Sequence, residues 1–430
     1  MSPVLTNPVP GFPVRRRHAP PTPALLFPDS PDVHSPKTVA AELAPLFHGP
    51  SGQRSEVSSA DCPPLGSSAA GTQPANAAAG MSPGAKAPLV GIARLAASSP
   101  PAETRRKAEG RPEYFVLPVK SILNRCDSQR VPFEWTINPY RGCEFGCKYC
   151  YARYTHEYME LDGGDFERKI FVKKDAGVLL AHDVSHKYSF DAPKTEHIAI
   201  GTATDPYQPA EREYGVTRAC LEELAKREGL SISITTKSNQ IARDIDLLKR
   251  IAGKSSLSLN ITVTTLRTRL ARLLEPRAPR PDLRLGAVKE LREAGLAVGV
   301  SASPLLPGIS DREGEIEEIA AAAKAAGAQW FFAGVLFLMP SSAKQFLPFI
   351  REKFPRLAKQ YEQWYTRNGY APEEYRRKIS ERIGRVKREL GFTDRPWEEI
   401  RRKTTPCAQM SLALADSGSQ AETSTLWAMG

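Results

Sequence analysis

Asn138-Pro-Tyr-Arg-Gly-Cys143-Glu-Phe-Gly-Cys147-Lys-Tyr-Cys150-Tyr151 sets three cysteines on one short segment with the spacing C-x3-C-x2-C. Phe133–Ile137, immediately before it, reads as a β-strand, so the cysteines leave the end of that strand on a loop. Three thiolates on one loop can hold three irons of a cubane iron–sulfur cluster, leaving the fourth iron without a protein ligand. An iron with an open position can bind a substrate or a cofactor and act on it. The competing readings are three unrelated buried thiols or an incomplete zinc site. Zinc normally asks for four ligands, and the nearest histidine, His156, lies six residues past Cys150. Gly142 and Gly146 favour the cluster, because a loop that wraps one needs permissive dihedrals and backbone N–H groups free to face sulfide.

Working outward, the strand before the loop is the first of six. His197–Thr202, Leu230–Thr236, Leu257–Thr264, Leu296–Ser303 and Trp330–Leu336 are apolar β-type runs. Between them Val216–Arg227, Gln240–Ile251, Leu283–Glu293 and Glu315–Ala325 place apolar residues at helical spacing. Gly253, Gly295 and Gly327 follow the last periodic residues, where left-handed caps are expected. Strands alternating with helices imply parallel strands and right-handed crossovers. The expected fold is therefore α/β: a partial (β/α)6 TIM-type barrel, open on one side, with its chemistry at the C-terminal strand ends.

The 430 residues carry a formal net charge of +11, which favours polyanionic partners, nucleic acid among them, or serves solubility. Residues 1–108 are rich in Pro, Ala, Ser and Gly and hold about half of the prolines; such a segment reads as a disordered tail, with short helices at Thr38–Phe47 and Val90–Ala97. Residues 109–353 form the core, 354–403 a basic helical extension and 404–430 a loose tail. Seven cysteines, at 62, 126, 143, 147, 150, 220 and 407, make no disulfide framework, and thiolates for a cluster need a reducing compartment. No apolar run reaches the roughly 18 residues of a membrane span. A cytoplasmic protein without membrane contact is expected.

Polar residues gather where the strands end: Gly201-Thr-Ala-Thr-Asp-Pro-Tyr-Gln-Pro209, Thr235-Thr-Lys-Ser238, Thr262-Val-Thr-Thr265 and Ser301-Ala-Ser-Pro304. Helix N-caps account for some of them, Ser238 above all. They do not account for Lys237, a cation at a strand mouth. Nor do they account for Thr202 and Thr204, which alternate with Ala203 and so share a face.

These stretches, with Lys120-Ser-Ile-Leu-Asn124, Tyr149-Cys-Tyr-Ala-Arg153, His156-Glu-Tyr158, Arg243-Asp244, Leu274-Glu-Pro276 and Pro307-Gly308, resemble the radical SAM superfamily, in particular its spore photoproduct lyase branch and that branch's relatives in non-sporulating bacteria. The resemblance runs from about Pro118 to Lys353, and more weakly to about Phe392. It implies an enzyme that cleaves S-adenosylmethionine (SAM) reductively at a [4Fe-4S] cluster ligated by Cys143, Cys147 and Cys150. It also implies a reductant partner such as flavodoxin or ferredoxin. For SAM it implies Thr202 among the cofactor-binding residues, Thr204 and Asp205 near the methionyl amino group, Lys237 near the carboxylate, Thr262 near the ribose, and Ser301 and Tyr149 near the adenine. Tyr149 and Tyr151 match a tyrosine pair for which a radical relay is proposed.

One departure matters. The photoproduct lyases carry a hydrogen-donating cysteine near the end of the second strand, and here Thr202 occupies that position. A threonine O–H bond is too strong to replace a thiol. Cys220 belongs to the buried face of the following helix. Photoproduct reversal by the usual route is therefore not expected. A non-catalytic iron–sulfur or zinc module that binds nucleic acid is the remaining alternative.

Overall fold

A computed structural model describes residues 91–102, 112–127, 131–188 and 196–393. Ten strands are present among them: β1 (Glu113–Val116), β2 (Leu123–Arg125), β3 (Trp135–Ile137), β4 (Tyr140–Arg141), β5 (Lys169–Val172), β6 (His197–Ile200), β7 (Ser231–Thr236), β8 (Ser256–Thr262), β9 (Val298–Leu305) and β10 (Phe331–Val335). The main sheet runs β2-β3-β6-β7-β8-β9-β10. All six strands expected from the sequence are in it, parallel and in chain order, with β2 added antiparallel at the β3 edge. The sheet keeps two free edges, β2 and β10, so the barrel is partial. Helices Ala176–Lys187, Val216–Leu224, Ile245–Ala252, Pro281–Glu293 and Glu315–Ala325 connect the strands. Gly295 and Gly327 take the left-handed conformation at φ +84° and +90°, whereas Gly253 stays right-handed at φ −71° and caps without it.

Alternation along the strands sorts the two faces. Ile232 and Ile234 of β7, Leu257, Leu259 and Ile261 of β8, and Val298 and Val300 of β9 join the apolar core under the helices. The intervening Ser233, Asn260, Thr262, Ser301 and Ser303 turn inward. A second, three-stranded sheet, β1-β5-β4, backs the cysteine loop.

The core reaches further than the composition suggests at both ends. The stretch 91–102, grouped above with a disordered tail ending at 108, packs onto the fold. Helix Gly91–Ala97 sets Ala96 against Leu117, Met159 and Phe171, and Val116 N–H donates to the Pro100 carbonyl at 2.9 Å. The described stretch 91–102 therefore belongs to the fold rather than to a tail. In the basic extension, helix Glu373–Glu389 contributes Ile379, Ile383 and Val386 to the main core. Several of its arginines face carboxylates: Arg382 meets Glu317, Arg377 meets Glu381 and Arg385 meets Glu389. The free positive charge on that face is smaller than the sequence count. The expectations for residues 1–90 and 394–430, including a helix at Thr38–Phe47 and the loose tail 404–430, lie outside the described residues. Among the described residues no helix is long and apolar enough to cross a membrane.

Candidate active site

The cysteine loop leaves β3 and doubles back through β4, and its own backbone makes the site's frame. Gly142 has φ +82°, and a Cβ there would sit 2.7 Å from the Lys169 carbonyl oxygen, so only glycine passes. Gly146 also takes a positive φ, +63°, against Arg277. Three carbonyls of the loop find side-chain donors. Thr204 Oγ1 and Gln208 Nε2 donate to the Gly142 carbonyl at 2.7 and 3.1 Å. Arg153 Nη2 donates to the Cys147 carbonyl at 3.1 Å, and Ser342 Oγ to the Cys150 carbonyl at 2.6 Å. Lys148 N–H donates to the Leu274 carbonyl at 2.9 Å. Buried backbone groups need such partners, and here the partners come from four separate segments of the chain.

A cavity of about 490 Å³ opens above the loop at the C-terminal ends of the strands. Its wall includes Cys143, Cys147, Cys150, Tyr149, Tyr151, Thr202, Thr204, Asp205, Lys237, Thr262 and Ser301. Every residue selected from the sequence therefore meets in one place, although several do more than was expected of them. Thr204 directs its hydroxyl hydrogen to the cysteine loop. Asp205 ties β6 to β7: Oδ1 accepts from Thr236 Oγ1 at 2.6 Å and from Tyr207 N–H at 2.9 Å, and Oδ2 accepts from Lys237 N–H at 2.7 Å. Burial pushes its carboxyl above the ordinary range against those donors. Thr202 Oγ1 accepts from Asn138 Nδ2 at 3.0 Å, which pins it to the end of β3. Ser238 is the N-cap it reads as, accepting from Gln240 N–H at 3.2 Å.

The two tyrosines diverge. Tyr149 is buried; its hydroxyl donates to Glu275 Oε1 and its ring carries Lys237 Nζ at 5.8 Å from the centroid. Tyr151 is 44% exposed; its hydroxyl donates to the Thr202 carbonyl and its ring stacks on Tyr154.

Beneath Tyr149 lies a charge network that the sequence reading missed. Glu275 accepts from Tyr149, from Thr264 Oγ1 at 3.0 Å and from Arg284 Nη2. Arg284 also donates to the Thr262 carbonyl at 3.1 Å and to the Pro279 carbonyl at 2.7 Å. Burial pushes Glu275 up, but Arg284 and Lys237 outweigh it and hold the carboxyl below its usual range. Burial works against the Lys237 charge too, and Cys147 and Glu275 overcome it, raising its pKa. Glu275 had a signal in Leu274-Glu-Pro276. Arg284 had none, since it sits on helix Pro281–Glu293 at a position that reads as solvated.

His156 is excluded as a ligand. It is fully buried between Phe166 and Phe171, its Nε2 lies 2.9 Å from the Lys169 carbonyl, and burial pulls its pKa down to about 4. Cys220 is buried in the helix core, as expected. Among the described residues no three His, Cys, Asp or Glu side chains converge as a site for a single metal ion. Burial raises all three loop thiols, Cys147 to about 12, so without metal they hold their protons. Three thiols spread along one cavity wall, with Lys237 and Arg153 supplying positive charge beside them, fit a multi-iron cluster whose thiolates sit at separate corners. Loading would release the thiol protons.

Residues 137–323 match the family model of the radical SAM superfamily. An uncharacterized protein of Mycobacterium tuberculosis is 33% identical over 266 residues, covering 61% of this chain and 77% of that protein. One from Methanocaldococcus jannaschii is 28% identical over 226 residues, covering 52% and 77%. Among solved structures, spore photoproduct lyase complexed with dinucleoside spore photoproduct overlaps with a TM-score of 0.47 at 16% identity, covering 64% of this chain and 79% of that one. The chain belongs to the radical SAM superfamily. Members of that superfamily are enzymes, and membership implies SAM and an iron–sulfur cluster.

Proposed function

We propose that this chain holds a [4Fe-4S] cluster on Cys143, Cys147 and Cys150, binds SAM at its open iron, and abstracts hydrogen from a further substrate. The observation that supports it is the shared wall: three cysteines of one loop, the Lys237 cation and the hydroxyls of Thr262 and Ser301 line a single cavity at the ends of parallel strands. Bound together, such a cluster and SAM supply one-electron cleavage of the sulfonium C–S bond and the 5′-deoxyadenosyl radical.

The chain's own part is positioning. Lys237 offers an ammonium for the SAM carboxylate, and Asp205 fixes the backbone from which it projects. Tyr149 presents a ring held by Glu275. Tyr151 keeps its proton on Oη against the Thr202 carbonyl, at the rim. Phe133, Phe332 and Phe337 add apolar surface to the cavity wall. A reductant such as flavodoxin or ferredoxin, and a cytoplasmic setting where thiolates stay reduced, belong to the same proposal. The photoproduct-lyase reading is not adopted, because the described cysteines on the cavity wall are the three of the loop alone.

Anaerobic reconstitution followed by dithionite and SAM tests this. We expect about four irons per chain, formation of 5′-deoxyadenosine, and loss of both in Cys143→Ala, Cys147→Ala and Cys150→Ala but not in Cys126→Ala. Bound zinc without iron, or normal iron in Cys147→Ala, would sink the assignment. Thymine released from an ultraviolet-damaged dinucleotide would restore the lyase alternative.

A further inference from the structure

The inward face of the barrel below the strand ends departs from the usual filling of such barrels by bulky branched side chains. Ser233 and Thr235 of β7, Asn260 of β8 and Ser301 and Ser303 of β9 line the same cavity, as does Phe332 of β10. Small polar side chains leave space where Val or Ile would fill it. The charges of the cavity, Asp205 and Lys237, stand at the upper end with the cysteines. The titratable side chain of the lower part, His197, has its ring nitrogens 2.8 Å from the hydroxyls of Ser231 and Ser233.

Trp330 packs behind the wall, against Gly299 and Asn260. Its indole lies where a Cβ on Gly299 would come within 2.1 Å of Nε1, so Gly299 is the clearance for that ring. Trp330 Nε1–H donates to Asn260 Oδ1 at 3.0 Å. An indole nitrogen only donates, so this bond settles which way the Asn260 amide faces. Oδ1 points to the indole behind the wall, and Nδ2 is left on the cavity side. Asn260 is 6% exposed, and among the described residues its Nδ2 has no acceptor. Nδ2 reaches the open cavity, where a ligand oxygen can take the place of water as its acceptor.

We propose that this lower, lateral half of the cavity is the substrate compartment, and that it takes an uncharged ring bearing an amide-type carbonyl. The carbonyl oxygen accepts from Asn260 Nδ2, the ring lies against Phe332, and the hydroxyls of Thr235 and Ser303 serve its N–H and remaining oxygen atoms. A phosphate or carboxylate at this depth meets no free cation among the described wall residues, since Lys237 stands above it with the cysteines and SAM. A wall amide held in one orientation favours ligands that present an acceptor to it. The inference deepens the proposed function and rests on it for the reaction, while the binding can be measured without metal.

The test uses the full metal-free chain and three probes followed by saturation-transfer NMR and titration: uracil, the cyclic dipeptide cyclo(Gly-Gly), and orotate, which is uracil with a carboxylate added. We expect at least one neutral ring to bind, and which one binds separates a base-type from a peptide-type source. Orotate should bind at least about tenfold more weakly than uracil, and Asn260→Leu should weaken the neutral ring by about tenfold or more. Trp330→Phe, which leaves the amide in place but free to turn, should weaken it less; this variant carries the test if Asn260→Leu does not fold. No binding by either neutral ring overturns the compartment, as does orotate binding as tightly as uracil or a fold-competent Asn260→Leu with unchanged affinity. Formation of 5′-deoxyadenosine is scored separately. Its absence beside intact ring binding counts against the radical SAM reaction, and its presence without ring binding counts against the compartment.

Discussion

Arg284 and Glu275 meet beneath the cysteine loop with side chains 1% and 0% exposed, whereas Arg377 and Glu381 meet on helix Glu373–Glu389 at 48% and 61%. The residue types are the same. Below the loop each charge has several partners: Glu275 accepts from Tyr149, Thr264 and Arg284, and Arg284 donates to two carbonyls as well. On the helix the pair is a single contact one turn apart, screened by solvent. Burial turns the first set into a rigid frame for the cavity and leaves the second as surface. A buried ion pair is not in itself a stabilising device. Its value here is geometric, since it fixes the Tyr149 ring and sets a cation and an anion beside Cys147.

The sharpest way to break that contrast is to remove one partner from each pair. Arg284→Ala leaves Glu275 buried without its counter-charge and should cost about 3–5 kcal/mol in urea unfolding. Arg377→Ala should cost no more than about 0.5 kcal/mol. Equal losses would show that the loop network is as solvated as the helix.

His156 extends the comparison to pH. Its folded pKa of about 4 lies below the ordinary 6.5, so the unfolded chain binds its proton first as pH falls. The neutral, buried ring is fully compatible with the fold above pH 6.5, and stability is lost between there and pH 4, by about 3 kcal/mol in all. Unfolding free energies measured across that window in the native chain and in His156→Asn should differ in slope by close to one proton. Parallel curves would mean that the ring is protonated, or reaches water, within the fold.

Lys237→Ala probes the frame's effect on binding. Loss of a charge-assisted contact of roughly 1.5–3 kcal/mol should weaken SAM by about one to two orders of magnitude and leave the iron content unchanged. Titration of SAM against the reduced cluster by paramagnetic resonance measures it, and an unchanged affinity would move Lys237 to the substrate side. A further effect on stability is expected at the N-terminal edge. A chain beginning at Glu109 lacks the helix that covers Leu117 and Phe171, and should be less stable by about 1–2 kcal/mol than one beginning at Gly91. Identical melting curves would show that the helix Gly91–Ala97 contributes nothing to the core.

Much of the architecture was legible before any coordinates. The six strands and their order followed from apolar runs alternating with helical periods, and all of the candidate residues do line one cavity. The errors have physical causes. Residues 91–102 share the composition of the Pro- and Ala-rich tail, yet Ala96 needs only a small complementary hollow to pack. Gly253 stands where a left-handed cap is usual, but the following turn closes with ordinary right-handed geometry. Thr204 and Asp205, which the resemblance sets near the SAM amino group, also brace the loop and the neighbouring strand, a second task that no local pattern announces.

The sequence by itself determined the cysteine spacing, the glycines that let the loop turn, and the polar strand ends. Each of these is a local pattern, set by residues a few positions apart. The tertiary structure alone decided that Arg284 is a buried partner of Glu275, that His156 is core rather than ligand, and that Trp330 holds the Asn260 amide so that its donors face the cavity. Those outcomes depend on burial and on partners up to 70 residues apart in the chain. A helix arginine or a strand asparagine carries no local mark of which atoms will be desolvated against it.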